Sequence, residues 1–197
     1  MKIRKEFKVE SAHVVRNCTS HRCSHSIHGH SAVIEVILEG NQLDNAGMLY
    51  DFSLMKGTIK EFIDSMDHCY ILCDKDSDAF KNMIKESCDR YIEVPFNPSA
   101  ECLSMFICYW VNYILKNTIT ANGEGYIKCT AVRYHETTTG WAECNQGDVE
   151  GLFKEEWRNY DNYDFSLGVI KDWSKDLCRV IGGNKINNPV IEQQINL

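Results

Sequence analysis

Three observations predict an α+β fold, built as an antiparallel sheet with two helices on one face. Hydrophobic periodicity gives the element order strand, strand, helix, helix, strand, strand. Residues 2–13, 29–39 and 125–135 alternate apolar and polar side chains. Two stretches, from Phe52 to Met66 and from Leu103 to Leu115, instead repeat their apolar residues every three or four positions.

In the first strand Ile3, Phe7 and Val9 share one parity, and His13 falls on the same side. The second strand places His28, His30, Ala32, Ile34, Val36 and Leu38 on a single face. Residues 14–27, rich in Asn, Ser, Thr, Cys and His, read as a loop. Asp44-Asn45-Ala46-Gly47 is a turn, and the first helix carries Phe52, Met55, Ile59, Phe62, Ile63 and Met66 before ending near Asp67-His68. Residues 74–98 show no single pattern. Ser99 is a suitable N-cap for the second helix, whose stripe is Leu103, Phe106, Ile107, Trp110, Val111, Ile114 and Leu115. After the Asn122-Gly123 turn comes the third strand, then a short fourth over 139–144. Residues 1–145 thus form one unit. Residues 146–197 form a helical C-terminal extension, with Leu152, Phe153, Trp157, Leu167, Ile170, Trp173 and Leu177 as its apolar positions and a polar, disordered tail after Gly182-Gly183.

Composition narrows the function. With 44% hydrophobic and 25% charged residues the chain has an ordinary globular balance. A net charge of -7 with no basic run argues against a nucleic-acid partner. No apolar stretch reaches the ~18 residues of a membrane span, and the start does not read as a signal peptide, so a cytoplasmic protein is expected. The ten cysteines lack a compact framework, and Cys102, Cys108 and Cys129 read as small core residues rather than disulfide partners. Cys69 and Cys73 form a C-x3-C pair with no second pair to complete a zinc ribbon.

Five of the seven histidines lie between positions 13 and 30. His28 and His30, two apart in a strand, point to one face, and His13 from the neighbouring strand completes a set of three imidazoles. Three protein ligands leave one position of a tetrahedral Zn²⁺ open, which is the catalytic arrangement. With three ligands in hand, His21 and His25 are read as loop residues.

Taken in order, Ser11-Ala12-His13, Cys23 ahead of His28-Gly29-His30, Asp51-Phe52-Ser53-Leu54-Met55-Lys56, Asp67-His68, Pro98-Ser99-Ala100-Glu101 and His135-Glu136-Thr137 resemble the 6-pyruvoyl- and 6-carboxytetrahydropterin synthase family over residues 3–144. The resemblance implies a tunnelling fold whose subunits close into a barrel-like homo-oligomer, often a hexamer, with active sites at subunit interfaces. It implies a zinc-dependent lyase acting on 7,8-dihydroneopterin triphosphate. In bacterial-type members the product is 6-carboxytetrahydropterin, on the route to 7-deazaguanine compounds such as queuosine.

By the same resemblance His13, His28 and His30 hold zinc, Cys23 moves a proton at the substrate side chain, and Asp67-His68 is the second acid-base element. Glu136 anchors the pterin by accepting two parallel N–H bonds, with Thr137 and Ser99 lining the pocket. Lys5, Arg16 and Arg22 are candidate cations for the triphosphate. Four residues separate Cys23 from His28, a spacing between those of the carboxy and pyruvoyl types, and Cys18 is a second thiol in the same loop. A pyruvoyl-type synthase and a non-catalytic zinc- or pterin-binding protein therefore stay open beside the carboxy type. The C-terminal residues fall outside the family pattern, and deletion of residues 150–197 is expected to alter assembly more than the metal site.

Overall fold

The computed structural model describes residues 1–189. Strand β1 (Lys2–His13) and strand β2 (His28–Gly40) form a long antiparallel pair, in register from Lys2 opposite Glu39 to His13 opposite His28. The period-two reading holds: Phe7, Val9 and His13 are buried from one strand, and Ala32, Ile34, Val36 and Leu38 from the other. The connection expected as a plain loop contains the short helix α1 (His21–His25). Val15 N–H donates to Cys23 O at 3.0 Å, tying this helix to the end of β1.

The first helical stripe is broken in two. A 3₁₀ turn at Leu54–Lys56 is separated from α2 (Thr58–Asp64) by Gly57. Met55, Ile59, Phe62, Ile63 and Met66 are buried, whereas Phe52, ahead of the 3₁₀ turn, is exposed.

The stretch without a clear pattern holds helix α3 (Asp78–Ser87) and strand β4 (Tyr91–Val94), and strand β3 (Cys69–Cys73) lies just before it. β3 is buried at all five positions, so it lacks the alternation of a one-sided strand. β1 pairs with β3 in parallel, as does β3 with β4. The sheet is therefore mixed, not antiparallel throughout; a parallel neighbour needs a crossover, and α3 supplies it between β3 and β4. Helices also cover both faces. Cys69 and Ile71 of β3 join the main core with α2, while Tyr70 and Leu72 face the other way and pack with Ile84 of α3.

Helix α4 (Ala100–Lys116) starts at Ser99, whose side chain accepts from Cys102 N–H, and it buries its apolar stripe beneath the sheet. Cys108 and Cys129 are fully buried and Cys102 partly so, matching their reading as small core residues. Beyond strand β5 (Thr118–Ile119), strands β6 (Ile127–His135) and β7 (Trp141–Asn145) form the closing hairpin, with a register shift in β2 between Ile37 and Leu38.

The C-terminal segment is less helical than its pattern suggests. It runs through α5 (Gln146–Leu152), two 3₁₀ turns, β8 (Asp164–Phe165), α6 (Leu167–Ile170), α7 (Lys175–Ile181) and β9 (Ile186–Asn187). β8 pairs with β4, which makes the order of the main sheet β7-β6-β2-β1-β3-β4-β8, and β9 pairs with β5. Phe153, Tyr163, Phe165, Val169, Leu177 and Val180 belong to the same core as the sheet and α4. Of the tail expected to be disordered, Ile186 is buried, and residues 190–197 lie outside the described residues. No helix among the described residues is long and apolar enough to cross a membrane.

Candidate metal centre

The register of β1 and β2 does the assembling. It sets His13 opposite His28, and the pleat puts His30 on the same face as His28. The ring centroids lie 4.7 Å apart for His13–His28, 5.2 Å for His13–His30 and 5.1 Å for His28–His30. One nitrogen from each of the three falls within 4.8 Å of the others.

Each ring's outer bonds decide which nitrogen is free. His13 Nδ1 lies 2.8 Å from Pro98 O, and His28 Nδ1 lies 3.0 Å from Ser26 O. A carbonyl oxygen only accepts, so in both rings Nδ1 carries a hydrogen, and Nε2 is the nitrogen left to face a metal. Nε2 of His13 and Nε2 of His30 are buried with no hydrogen-bond partner. An orphaned polar atom of this kind costs about 1–3 kcal/mol, a cost that a metal ion would remove. Burial pushes the His13 pKa down to about 4, helped by His28 and His30 and opposed by the Pro98 contact. The ring is thereby held neutral, the form in which imidazole ligates. Three imidazoles that each bring a ring nitrogen within 4.8 Å of the others, two of them with a buried Nε2 that has no hydrogen-bond partner, fit Zn²⁺ well.

Glu136, one residue past β6, enters the same cluster. Its Oε1 is 3.5 Å from His13 Nε2 and 3.6 Å from His30 Nε2. Thr137 is exposed; its Oγ1 accepts from Gly140 N–H at 2.9 Å and thereby shapes the turn that carries Glu136. Ser99 is half-buried and spends its side-chain oxygen on the cap of α4, one residue after the Pro98 carbonyl.

Cys23 is half-buried on α1, and Cys18 is half-buried with its thiol 3.2 Å from Ser20 O. Asp67 and His68 pair with each other, His68 Nδ1 lying 2.9 Å from Asp67 Oδ2. Burial pushes the Asp67 carboxyl up, but bonds from Glu10 N–H and His68 outweigh it, and its pKa lies below the usual value. His68 adopts φ +49° and is exposed beside a cleft of about 850 Å³ that Ile27, His30, Tyr70 and Arg90 also line. Among the described residues, neither Asp67 nor His68 has a hydrogen bond or ion pair to the three histidines.

Of the candidate cations, Arg16 is already committed: its Nε donates to Asp76 Oδ1 and its Nη1 to Ser24 O. Lys5 lies against the rings of Phe7 and Phe52, and Arg22 is exposed on α1. Pro98 was not a sequence candidate, because it acts through its main chain. Its placement comes from Asn97, whose side chain bonds both Arg16 N–H at 2.9 Å and Arg16 O at 2.6 Å, clamping the start of α4 to the end of β1.

Comparison with known proteins adds to this geometry. The family model described as 6-pyruvoyl tetrahydropterin synthase matches residues 2–147. A Helicobacter pylori protein named 6-carboxy-5,6,7,8-tetrahydropterin synthase is 40% identical over 173 residues, covering 88% of this chain and 86% of its own length. An Aquifex aeolicus protein of the same name is 30% identical over 123 residues, 60% of this chain and 73% of its own. Among solved structures, an uncharacterised protein from Wolinella succinogenes superposes with a TM-score of 0.59 at 20% identity, covering 74% of this chain and 98% of that one. The 6-pyruvoyl tetrahydropterin synthase of Caenorhabditis elegans does so with a TM-score of 0.51 at 19% identity, covering 74% and 94%. The structural likenesses establish the fold.

Proposed function

Since the chain belongs to the 6-pyruvoyl tetrahydropterin synthase family, we propose that it is the carboxy type, a cytoplasmic zinc-dependent lyase. It would convert 7,8-dihydroneopterin triphosphate and one water to 6-carboxy-5,6,7,8-tetrahydropterin, releasing acetaldehyde and triphosphate, on the route to 7-deazaguanine compounds such as queuosine. The observation that carries the metal reading is the pair of buried, partnerless Nε2 atoms of His13 and His30. The names of the relatives at 40% and 39% identity support the carboxy type over the pyruvoyl type.

When bound by His13, His28 and His30, Zn²⁺ supplies Lewis acidity that makes a substrate hydroxyl easier to deprotonate. The chain's own groups do the rest. Cys23, held near the end of β1 by the Val15–Cys23 main-chain bond, is the base at the substrate side chain. Asp67 orients His68 through Nδ1, leaving Nε2 of His68 to give or take the second proton. Glu136 accepts the amino and ring N–H groups of the pterin as a fork, with Thr137 and Ser99 at the pocket edge. No hydrogen bond or ion pair joins Asp67–His68 to the three histidines within one chain, and the reading includes a homo-oligomer in which one copy's pair meets another copy's cluster.

The test is mass spectrometry of the products from 7,8-dihydroneopterin triphosphate and zinc-loaded protein, alongside Cys23→Ala. Formation of 6-carboxytetrahydropterin and acetaldehyde, lost in the variant, is the expected result. A pyruvoyl product would move the chain to the sister activity. Zinc binding without turnover would leave a binding protein. If Cys23→Ala keeps activity, Cys18→Ala decides whether the neighbouring thiol is the base.

A further inference from the structure

Glu136 has more than one use for its carboxylate. Its distances of 3.5 Å to His13 Nε2 and 3.6 Å to His30 Nε2 are too long for good hydrogen bonds, and both nitrogens lack a hydrogen-bond partner. Two buried imidazole nitrogens without hydrogen-bond partners, both within 3.6 Å of one carboxylate oxygen, are an arrangement for a cation. Ligands at about 2.0–2.1 Å from Zn²⁺ in a tetrahedral shell lie about 3.3–3.4 Å from one another. The Glu136 distances nearly match that edge.

Resting on the zinc binding and the Glu136–pterin contact of the function proposed above, we infer that Glu136 is the fourth metal ligand when no pterin is bound, and that pterin binding withdraws it and opens the coordination position to substrate. One carboxylate cannot both ligate the metal and fork onto the pterin, so the two states exclude each other. Position and support suit the exchange. Glu136 lies just past the last hydrogen-bonded residue of β6, in a hairpin turn whose residues 137–140 are exposed. Its side chain is 30% exposed, open to the cluster on one side and to solvent on the other. His28, by contrast, has no ion-pair contact with Glu136 among the described residues, so the carboxylate leans on two corners of the shell and needs only a small swing to close or leave it.

The experiment uses the full-length protein loaded with Co²⁺, whose visible d–d absorption reports ligand number and type without turnover. Wild type and Glu136→Gln are compared by absorption spectrum and by metal affinity against a chelator. Each is then titrated with unsubstituted pterin, which has no side-chain hydroxyl to replace the lost ligand. The expected result is a changed Co²⁺ spectrum and at least about tenfold weaker metal binding in Glu136→Gln. Pterin should move the wild-type spectrum and leave that of the variant unmoved. Unchanged spectrum and affinity in Glu136→Gln would overturn the inference, as would a wild type that binds no Co²⁺. If the variant does not fold, the wild-type titration alone decides: pterin that binds by fluorescence but leaves the Co²⁺ spectrum unmoved overturns it. A wild type that forms 6-carboxytetrahydropterin while Glu136→Gln keeps the wild-type spectrum sinks this inference alone. Spectral exchange without that product sinks only the choice of reaction.

Discussion

Arg16 donates through Nε to Asp76 Oδ1 at 2.6 Å, and the Asp76 side chain is only 4% exposed. The guanidinium also lies 4.8 Å over the Phe80 ring and bonds Ser24 O. A cation that looks available for the triphosphate in sequence is thus holding the histidine loop to the segment between β3 and α3.

Arg16→Ala should therefore act on stability. Breaking a fully buried pair costs about 3–5 kcal/mol; with Arg16 one-third exposed the expected loss is about 2 kcal/mol. Urea unfolding checks it. Asp76→Asn in the Arg16→Ala background should restore part of the loss by removing the stranded charge. An Arg16→Ala protein of unchanged stability would contradict the structural role.

Loss of any one histidine should empty the metal site. His30→Ala removes one of the two buried, partnerless Nε2 atoms of the three-histidine cluster and is expected to drop bound zinc from about one per chain to a small fraction, read by atomic emission after dialysis. Chelation of the wild type should lower its melting temperature. A ligand at one hundred times its Kd adds about 2.7 kcal/mol to the folded state. Full zinc retention by His30→Ala would remove it from the ligand set.

These sites were legible in sequence to different depths. β1, β2 and the H-x-H pair stand out because period-two alternation survives wherever one sheet face is buried. β3 did not, because Cys69-Tyr70-Ile71-Leu72-Cys73 is covered on both faces and has nothing to alternate. α3 did not, because its stripe is only Phe80, Met83 and Ile84, of which Ile84 alone is buried. Resemblance supplied Glu136 as a pterin anchor, but its approach to His13 and His30 is a tertiary distance that no local pattern encodes. The Pro98 carbonyl, which sets the His13 tautomer, belongs to the backbone, and 85 positions separate the two residues.

Glu35 gives a pH dependence of known sign. It is 6% exposed, accepts from Arg4 Nη1 at 2.7 Å and from Arg133 Nη1 at 3.1 Å, and has His135 Nε2 3.3 Å away. Burial pushes its pKa up, but the two guanidinium groups outweigh it, and the carboxyl titrates below its usual 4.5. A depressed folded pKa means that the stabilisation is present above the unfolded value and is lost as pH falls through the folded one. Glu35→Gln should cost about 1–3 kcal/mol at about pH 7, and the gap to wild type should narrow by about pH 3. Denaturant unfolding at both pH values checks it, and a gap independent of pH would contradict the assignment.

The C-terminal segment packs into the core of the chain. Phe153 packs against Tyr109 at 5.6 Å and Phe96 at 6.1 Å, Tyr163 against Phe106 at 5.3 Å, and Phe165 against Trp173 at 5.0 Å. Trp173 Nε1 also donates to Ser65 Oγ at 2.8 Å, just after α2. Burying one large apolar side chain is worth about 1.5–3 kcal/mol, so removing Phe153, Tyr163, Phe165, Val169, Leu177 and Val180 together forfeits on the order of 10 kcal/mol. That is comparable to the whole stability of a domain, about 5–15 kcal/mol. A chain ending at residue 149 should therefore be insoluble or unfolded and lose zinc with its fold. The finer probe is Phe153→Ala, expected to cost about 3–5 kcal/mol while keeping stoichiometric zinc at low temperature. Circular dichroism and zinc content of the truncated protein decide between core and assembly: a soluble, folded, zinc-loaded fragment of altered oligomer size would return the segment to an assembly role.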